Sequence, residues 1–254
     1  MVGDDTDLAW KRYGRVDPYF GVLSHPRFRN AAKPGPERTE FFQSGESHIQ
    51  SVLATAHTMF PQVTPQRAVD YGCGVGRLVI PLARQLSEVV GVDISESMIA
   101  EARRNCTEAG IANVDFALAD DNLSALPGQF DLIHSYIVFQ HVPVSRGLRI
   151  FRELLNRLTE GGIGIVHFTY ANANKVGRRG TYLLRKWVPG AHELLEVLRG
   201  RPPGPHMQLN LYPLDKLLAM LQESGCHEVG IRFSNHGDFY GVLLFFRRAA
   251  ITPY

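Results

Sequence analysis

The chain has 254 residues, 44% of them hydrophobic, and a formal net charge of +2. That length and apolar share suit one large α/β domain, and near-neutrality removes any compositional case for nucleic acid or an anionic membrane as partner. No apolar run approaches the roughly 20 residues of a membrane span, and Cys73, Cys106 and Cys226 are too scattered for a disulfide framework or a zinc site.

Residues 1–39 read as irregular, broken by proline and glycine around the aromatic stretch DPYFGVLSHPRF. The acidic, polar N-terminus is not a signal peptide, so the expected location is cytoplasmic. Residues 40–60 read as a helix on which Phe42, Ile49, Leu53 and His57 share a face. Beyond Pro61 and Pro65, short apolar runs alternate with helical patterns. RAVDY is a strand and GRLVIPLARQL a helix, with Pro81 near its start or kinking it. EVVGVDI is the second strand. SESMIAEARRNCTEAG is a helix with Ser95 as N-cap and Gly110 at its end. NVDFALA and FDLIHSYI are strands, SRGLRIFRELLNRLTEGG is a helix, and IGIVHFTY is the fifth strand. Such alternation predicts a doubly wound, mostly parallel sheet with helices on both faces.

The rhythm breaks over 171–206, where seven Lys or Arg face two Glu. This reads as an insertion with short helices around TYLLRKW and AHELLEVL. PLDKLLAMLQESG resumes as a helix, and HEVGIRFS and YGVLLFFRR form an antiparallel hairpin through NHGDF. The expected division is an N-terminal extension and helix over 1–60, forming a lid, and a main domain over 61–254 carrying the insertion. The sheet should have seven strands.

The first strand-to-helix turn of such a sheet faces a ligand crevice. Here it reads Asp70-Tyr-Gly72-Cys73-Gly74-Val-Gly76-Arg77. A dinucleotide site wants a third glycine where Arg77 stands. Asp70 would repel a diphosphate and attract a cationic amino group. Asp93 ends the second strand, where a carboxylate accepts from both ribose hydroxyls. Asp120, or Asp121 beside it, follows the third strand and can accept from an adenine amino group.

Asp70 to Gly76, Asp93 and Asp120 together resemble the signature positions of the class I S-adenosylmethionine-dependent methyltransferases, over residues 66–169. The resemblance implies a Rossmann-like fold and S-adenosylmethionine as cofactor, with S-adenosylhomocysteine as product. Gly72, Cys73, Gly74 and Gly76 would lie along the methionine portion and Asp70 would help hold its amino group. Asp93 would take the ribose, Ile94 would pack on adenine, Asp120 or Asp121 would bind the adenine amino group, and the Ser135 backbone would flank the methionine moiety.

The acceptor is weakly encoded. After the fourth strand, Ser135-Tyr136-Ile137-Val138 lacks the Asn/Asp-Pro-Pro-aromatic motif of enzymes that methylate nucleic-acid amino groups, so no nucleic acid is expected. His141 and His236 are the candidate acid–base residues; His167, inside a strand, reads as core. Trp10, Tyr13, Tyr19 and Phe20 could close over the cofactor. Lys175, Arg178, Arg179, Arg185 and Lys186 in the insertion suit an anionic small-molecule or glycan acceptor, or a peripheral membrane contact. The rivals are a non-catalytic cofactor-binding protein and an NAD-dependent oxidoreductase; an aminopropyl transferase would need acids near the fourth strand that are missing.

Overall fold

The computed structural model describes residues 6–172 and 207–249. Its centre is a seven-stranded sheet in the order β3-β2-β1-β4-β5-β7-β6. The strands are β1 (Arg67–Tyr71), β2 (Glu88–Asp93), β3 (Val114–Leu118), β4 (Phe130–Ser135), β5 (Leu158–Asn172), β6 (Glu228–His236) and β7 (Phe239–Arg247). The first five pair in parallel, while β7 runs antiparallel to both β5 and β6. The chain order reverses between β1 and β4, and that switch point opens the crevice at the carboxyl ends of the strands.

Helices cover both faces. On one lie α6 (Val144–Asn156) and α7 (Leu214–Glu223), packed on Phe151, Phe168, Leu244 and Phe246. On the other lie α3 (Pro36–Met59) and α4 (Val79–Ala83), packed on Val89, Leu132, Ile165 and Phe245. α5 (Glu96–Glu108) starts as expected: the Ser95 hydroxyl accepts from Met98 N at 3.4 Å.

Four local readings change. Residues 6–30 are not irregular: α1 (Thr6–Val16), α2 (Pro18–Val22) and a 3-10 helix (Pro26–Asn30) line one side of the cavity described below. Pro18 and Pro26 open their helices, where a missing N–H costs nothing. Tyr13, Tyr19, Phe28 and Phe41 give the segment a small core of its own. On α3 the buried stripe is Phe41, Gly45, Ile49, Val52 and Ala56. It is offset from the expected face, and His57 is exposed.

The helix expected over residues 76–86 shrinks to α4, because Pro81 cannot donate to the carbonyl of Arg77. That carbonyl instead lies against Gly45 of α3, where a Cβ would overlap it. Finally, LTEGG leaves its helix and joins β5. The register slips between Phe130↔Leu158 and Leu132↔Ile163, and Gly161 takes φ +74°. β5 also extends through Asn172, into the first residues assigned to the insertion. The two helices expected within the insertion lie outside the described residues, as do its five named cations.

Candidate functional site

Parallel strands deliver their carboxyl ends to one edge, so the loops after β1, β2, β3 and β4 meet there. Gly72, Gly74 and Gly76 have φ of +78°, +53° and +85°, the left-handed region that excludes most side chains. A Cβ at Gly72 would overlap Val138, after β4, and one at Gly74 would lie 2.5 Å from Val22 Cγ2 of α2. The turn is thus clamped by protein on one side while its backbone faces a cavity on the other. Gly76 does not line that cavity; it lets α5 approach, its missing Cβ lying 3.4 Å from Ala102.

The cavity is about 930 Å³. Gly72, Cys73, Gly74, Asp93, Ile94 and Asp120 line one end, Thr6, Trp10 and Val22 roof it, and Arg77, Tyr136 and the turn His236–Phe239 line the other end. Cys73 is no nucleophile: burial raises its thiol pKa well above the ordinary value, with the nearby Asp93 and Asp70 adding to the rise.

Asp93 Oδ2 accepts from Gly74 N and Oδ1 from Ser95 N, both at 2.9 Å. Each oxygen keeps a lone pair for a further donor. Burial pushes the carboxyl up to about 6 against the opposing pull of those backbone bonds, so the site lacks donors for its negative charge. Paired ribose hydroxyls are donors of the right kind. Asp120 lines the same end; its Oδ1 accepts from the backbone of Asn122 and Ser124, at 3.0 and 2.9 Å. Those bonds hold its carboxyl below the ordinary value. Asp121 pairs instead with Arg146 and Arg149.

The side chains of Asp70 and Ser135 are both buried behind the glycine turn. Asp70 is 1% exposed, and its Oδ1 accepts from His134 Nδ1 at 2.7 Å, its neighbour across the β1–β4 register. Its Oδ2 is buried without a partner. The Ser135 hydroxyl donates to the Tyr71 carbonyl at 2.9 Å, which ties β4 to β1.

His141 lines the cavity, but both its nitrogens are engaged. Nδ1 donates to the Gln208 carbonyl at 2.8 Å, and Nε2 accepts from Gln140 Nε2 at 3.1 Å. Gln140 is oriented by Thr169, whose hydroxyl donates to its Oε1 at 2.8 Å. Burial lowers the His141 pKa to about 4. With both ring nitrogens so bonded, His141 ties the loop after β4 to residues 208–210. His236 differs: it lines the cavity and its Nε2 is buried without a partner. His167, in the core as expected, contacts Ser234 Oγ at 2.8 Å.

Sequence reasoning missed His48, His134 and Tyr136. The His48 and His134 Nε2 atoms lie 3.4 Å apart, and the Tyr136 ring centroid lies 3.9 Å from that of His48, the planes tilted by 34°. No local signal joins these residues, which come from α3, β4 and the loop after it.

The roof is latched. Arg146 on α6 forks to both Asp7 oxygens and reaches Asp121 through Nε. The Tyr19 hydroxyl donates to Glu101 Oε1 of α5 at 2.6 Å, and Trp10 lies 4.9 Å from the His141 ring. No group of His, Cys, Asp and Glu among the described residues is arranged to hold a metal, and no described helix is long and apolar enough to cross a membrane.

A methyltransferase-domain family model matches residues 68–162. The chain is 30% identical over 152 residues to a ubiquinone biosynthesis O-methyltransferase of Methylococcus capsulatus, covering 57% of this chain and 60% of that protein. It is 32% identical over 129 residues to the 23S rRNA (uracil(1939)-C(5))-methyltransferase RlmD of Shewanella amazonensis, covering 50% of this chain and 28% of that protein. It therefore spans less than two thirds of the length of either relative. The crystal structure of magnesium protoporphyrin IX methyltransferase (ChlM) from Synechocystis PCC 6803, with bound SAH, aligns with a TM-score of 0.59 at 22% identity, over 92% of this chain and 99% of that one. That likeness is one of fold.

Proposed function

We propose that this chain, whose residues 68–162 match a methyltransferase-domain family model, is a class I S-adenosylmethionine-dependent methyltransferase that transfers a methyl group to an oxygen or nitrogen of a small-molecule or glycan-type acceptor. The observation that carries this reading is the roofed cavity. At about 930 Å³ it stands near the top of the roughly 300–1,000 Å³ typical of small-molecule sites. One end offers carboxylates; the other offers Arg77, Tyr136 and His236.

In this reading Asp93 accepts from the ribose hydroxyls, Ile94 flanks the adenine and Asp120 accepts from its amino group. The backbone of Gly72 to Gly74 runs beside the methionine portion, and Asp70 acts through its charge from the layer beneath. When bound, S-adenosylmethionine supplies an electrophilic sulfonium methyl, so the chain's task is to align an acceptor and take its proton. His236 is the proton acceptor: burial keeps the ring neutral and its Nε2 has no protein partner. The N-terminal segment acts as a lid that excludes water, held by Arg146 on Asp7.

Calorimetric titration with S-adenosylhomocysteine, S-adenosylmethionine and NAD tests the cofactor, with Asp93→Ala as control. Micromolar binding of both sulfur ligands, lost in the variant, supports the reading; binding of NAD alone overturns it. An RNA acceptor is the second reading, favoured by the similarity to RlmD. Release of S-adenosylhomocysteine on adding RNA, and not on adding small-molecule extracts, would decide for it.

A further inference from the structure

Arg77 is the most isolated charge in the cavity wall. It is only 5% exposed, yet among the described residues it has no ion pair. Its Nη1 donates to Ser44 Oγ at 3.2 Å, and its Nε is buried without a partner. Buried guanidinium groups are normally paired, because an uncompensated charge in a dry interior is costly. Arg77 also has little freedom to leave: its backbone is seated against Gly45 of α3. Burial lowers its pKa to about 10, so it remains a cation at neutral pH.

The unmet donors around it point the same way. Tyr136 and His236 line the same end of the cavity as Arg77. The Tyr136 ring lies 6.0 Å from His236 and tilts against His48, and its hydroxyl has no hydrogen-bond partner among the described residues. The charges that act on Arg77 are those of Tyr136 and Asp70, not the acids at the adenosine end. Burial holds His48 and His167 well below the ordinary histidine value, so behind this wall the rings stay neutral. Arg232 adds a second positive charge near Tyr136. This end of the pocket therefore gathers donors, with Asp238 of the β6–β7 turn as a carboxylate on its wall that makes no ion pair with Arg77. With Nη1 on Ser44, Nε and Nη2 make no hydrogen bond among the described residues, Nε being sealed from solvent; a small turn of the guanidinium would set that side-on edge against the two oxygens of a carboxylate.

We infer that Arg77, Tyr136 and His236 form the acceptor subsite and that the acceptor carries a carboxylate, taken by the side-on edge of Arg77. The inference rests on the methyl-transfer reading for the word acceptor, but the anion site itself does not depend on it.

The test uses full-length protein saturated with S-adenosylhomocysteine and matched acid–amide pairs: benzoate and benzamide, trans-cinnamate and trans-cinnamamide, indole-3-acetate and indole-3-acetamide. Affinities are read by calorimetry or saturation-transfer NMR. At least one acid should bind about tenfold or more tightly than its amide, the size expected for a charge-assisted bond in a dry site. Arg77→Gln should bring that acid within about twofold of its amide, and Arg77→Lys should keep part of the preference. S-adenosylhomocysteine affinity should stay within about threefold in both variants. No preference for any acid in the unmodified protein overturns the inference. So does an Arg77→Gln variant that loses S-adenosylhomocysteine as strongly as it loses the acid, because Arg77 would then hold the cofactor's carboxylate. If Arg77→Gln fails to fold, Tyr136→Phe reads the same site: it should weaken the acid and not the amide, and equal binding refutes the subsite. If S-adenosylhomocysteine does not bind, the methyl-transfer reading fails by itself, and the acid–amide comparison on free protein still decides the anion site.

Discussion

Asp93 makes ligand affinity depend on pH in a way that can be worked out from its surroundings. Its carboxyl is pushed up to about 6 by burial, against the pull of the Ser95 and Gly74 N–H groups. Ribose hydroxyls need acceptor lone pairs, so a nucleoside binds the ionised form and lowers the pKa on binding. Affinity should therefore plateau above pH 7 and fall as pH drops through about 6. At pH 5 only about one molecule in eleven is ionised, which weakens binding about tenfold, or about 1.4 kcal/mol. The ligand of choice is 5′-methylthioadenosine, which has the ribose and adenine without the amino-acid charges. Calorimetry at pH 5, 6, 7 and 8 in two buffers of different ionisation heat should also detect about one proton released per binding event at the acid end. Asp93→Asn should bind weakly and without the slope. The same rise in pKa has a sign for stability: a carboxyl harder to ionise when folded favours the fold fully below its unfolded value near 3.8. That contribution, about 3 kcal/mol, is lost as pH rises through about 6. An affinity flat from pH 5 to 8, or a slope that survives in Asp93→Asn, would refute the reasoning.

Gly74→Ala should weaken S-adenosylhomocysteine binding at least tenfold and lower the melting temperature, because φ is +53° and the new Cβ would lie 2.5 Å from Val22 Cγ2. Adding Val22→Ala should recover part of the melting temperature and leave the φ strain behind. Arg146→Ala should free α1, seen as faster proteolytic cleavage within residues 6–30, while global stability measured in urea falls by only about 1 kcal/mol, since the ion pairs are partly exposed. His141→Asn should cost about 1–2 kcal/mol by leaving the Gln208 carbonyl without its donor, yet leave the acid limb of any pH–rate profile where it was. Phe41→Ala, within the small core that Tyr13, Tyr19 and Phe28 form with it, should cost about 3–5 kcal/mol in urea unfolding.

The sheet was legible because each strand is a short apolar run ended by a turn or a cap, and these signals lie within a few residues of one another. Asp93 and Asp120 could be placed for the same reason: the end of a parallel strand is both a position in sequence and a position at the crevice. The N-terminal helices were not legible, because α2 and the 3-10 helix are five residues each and are held by Tyr19, Phe28 and Phe41 meeting across the chain rather than by periodicity. Pro81 shortened α4 through the carbonyl of Arg77, a contact settled by where α3 lies.

Asp70 and Arg77 show a harder limit. The resemblance has Asp70 help hold the cofactor's amino group without saying through what; the register of β1 against β4 sets it beside His134, and a buried pair forms there. Arg77 seemed informative only as a departure from a dinucleotide fingerprint. Its meaning comes from what does not surround it: no carboxylate within ion-pair distance among the described residues, an Nε with no acceptor, and a tyrosine and a histidine brought beside the same space by β4 and the β6–β7 turn. An unmet donor is defined by the absence of a partner over the whole fold, so no window of sequence can contain it. Acids at strand ends can be read from sequence, whereas a second ligand's subsite is best sought among the polar atoms that the folded chain leaves unpaired.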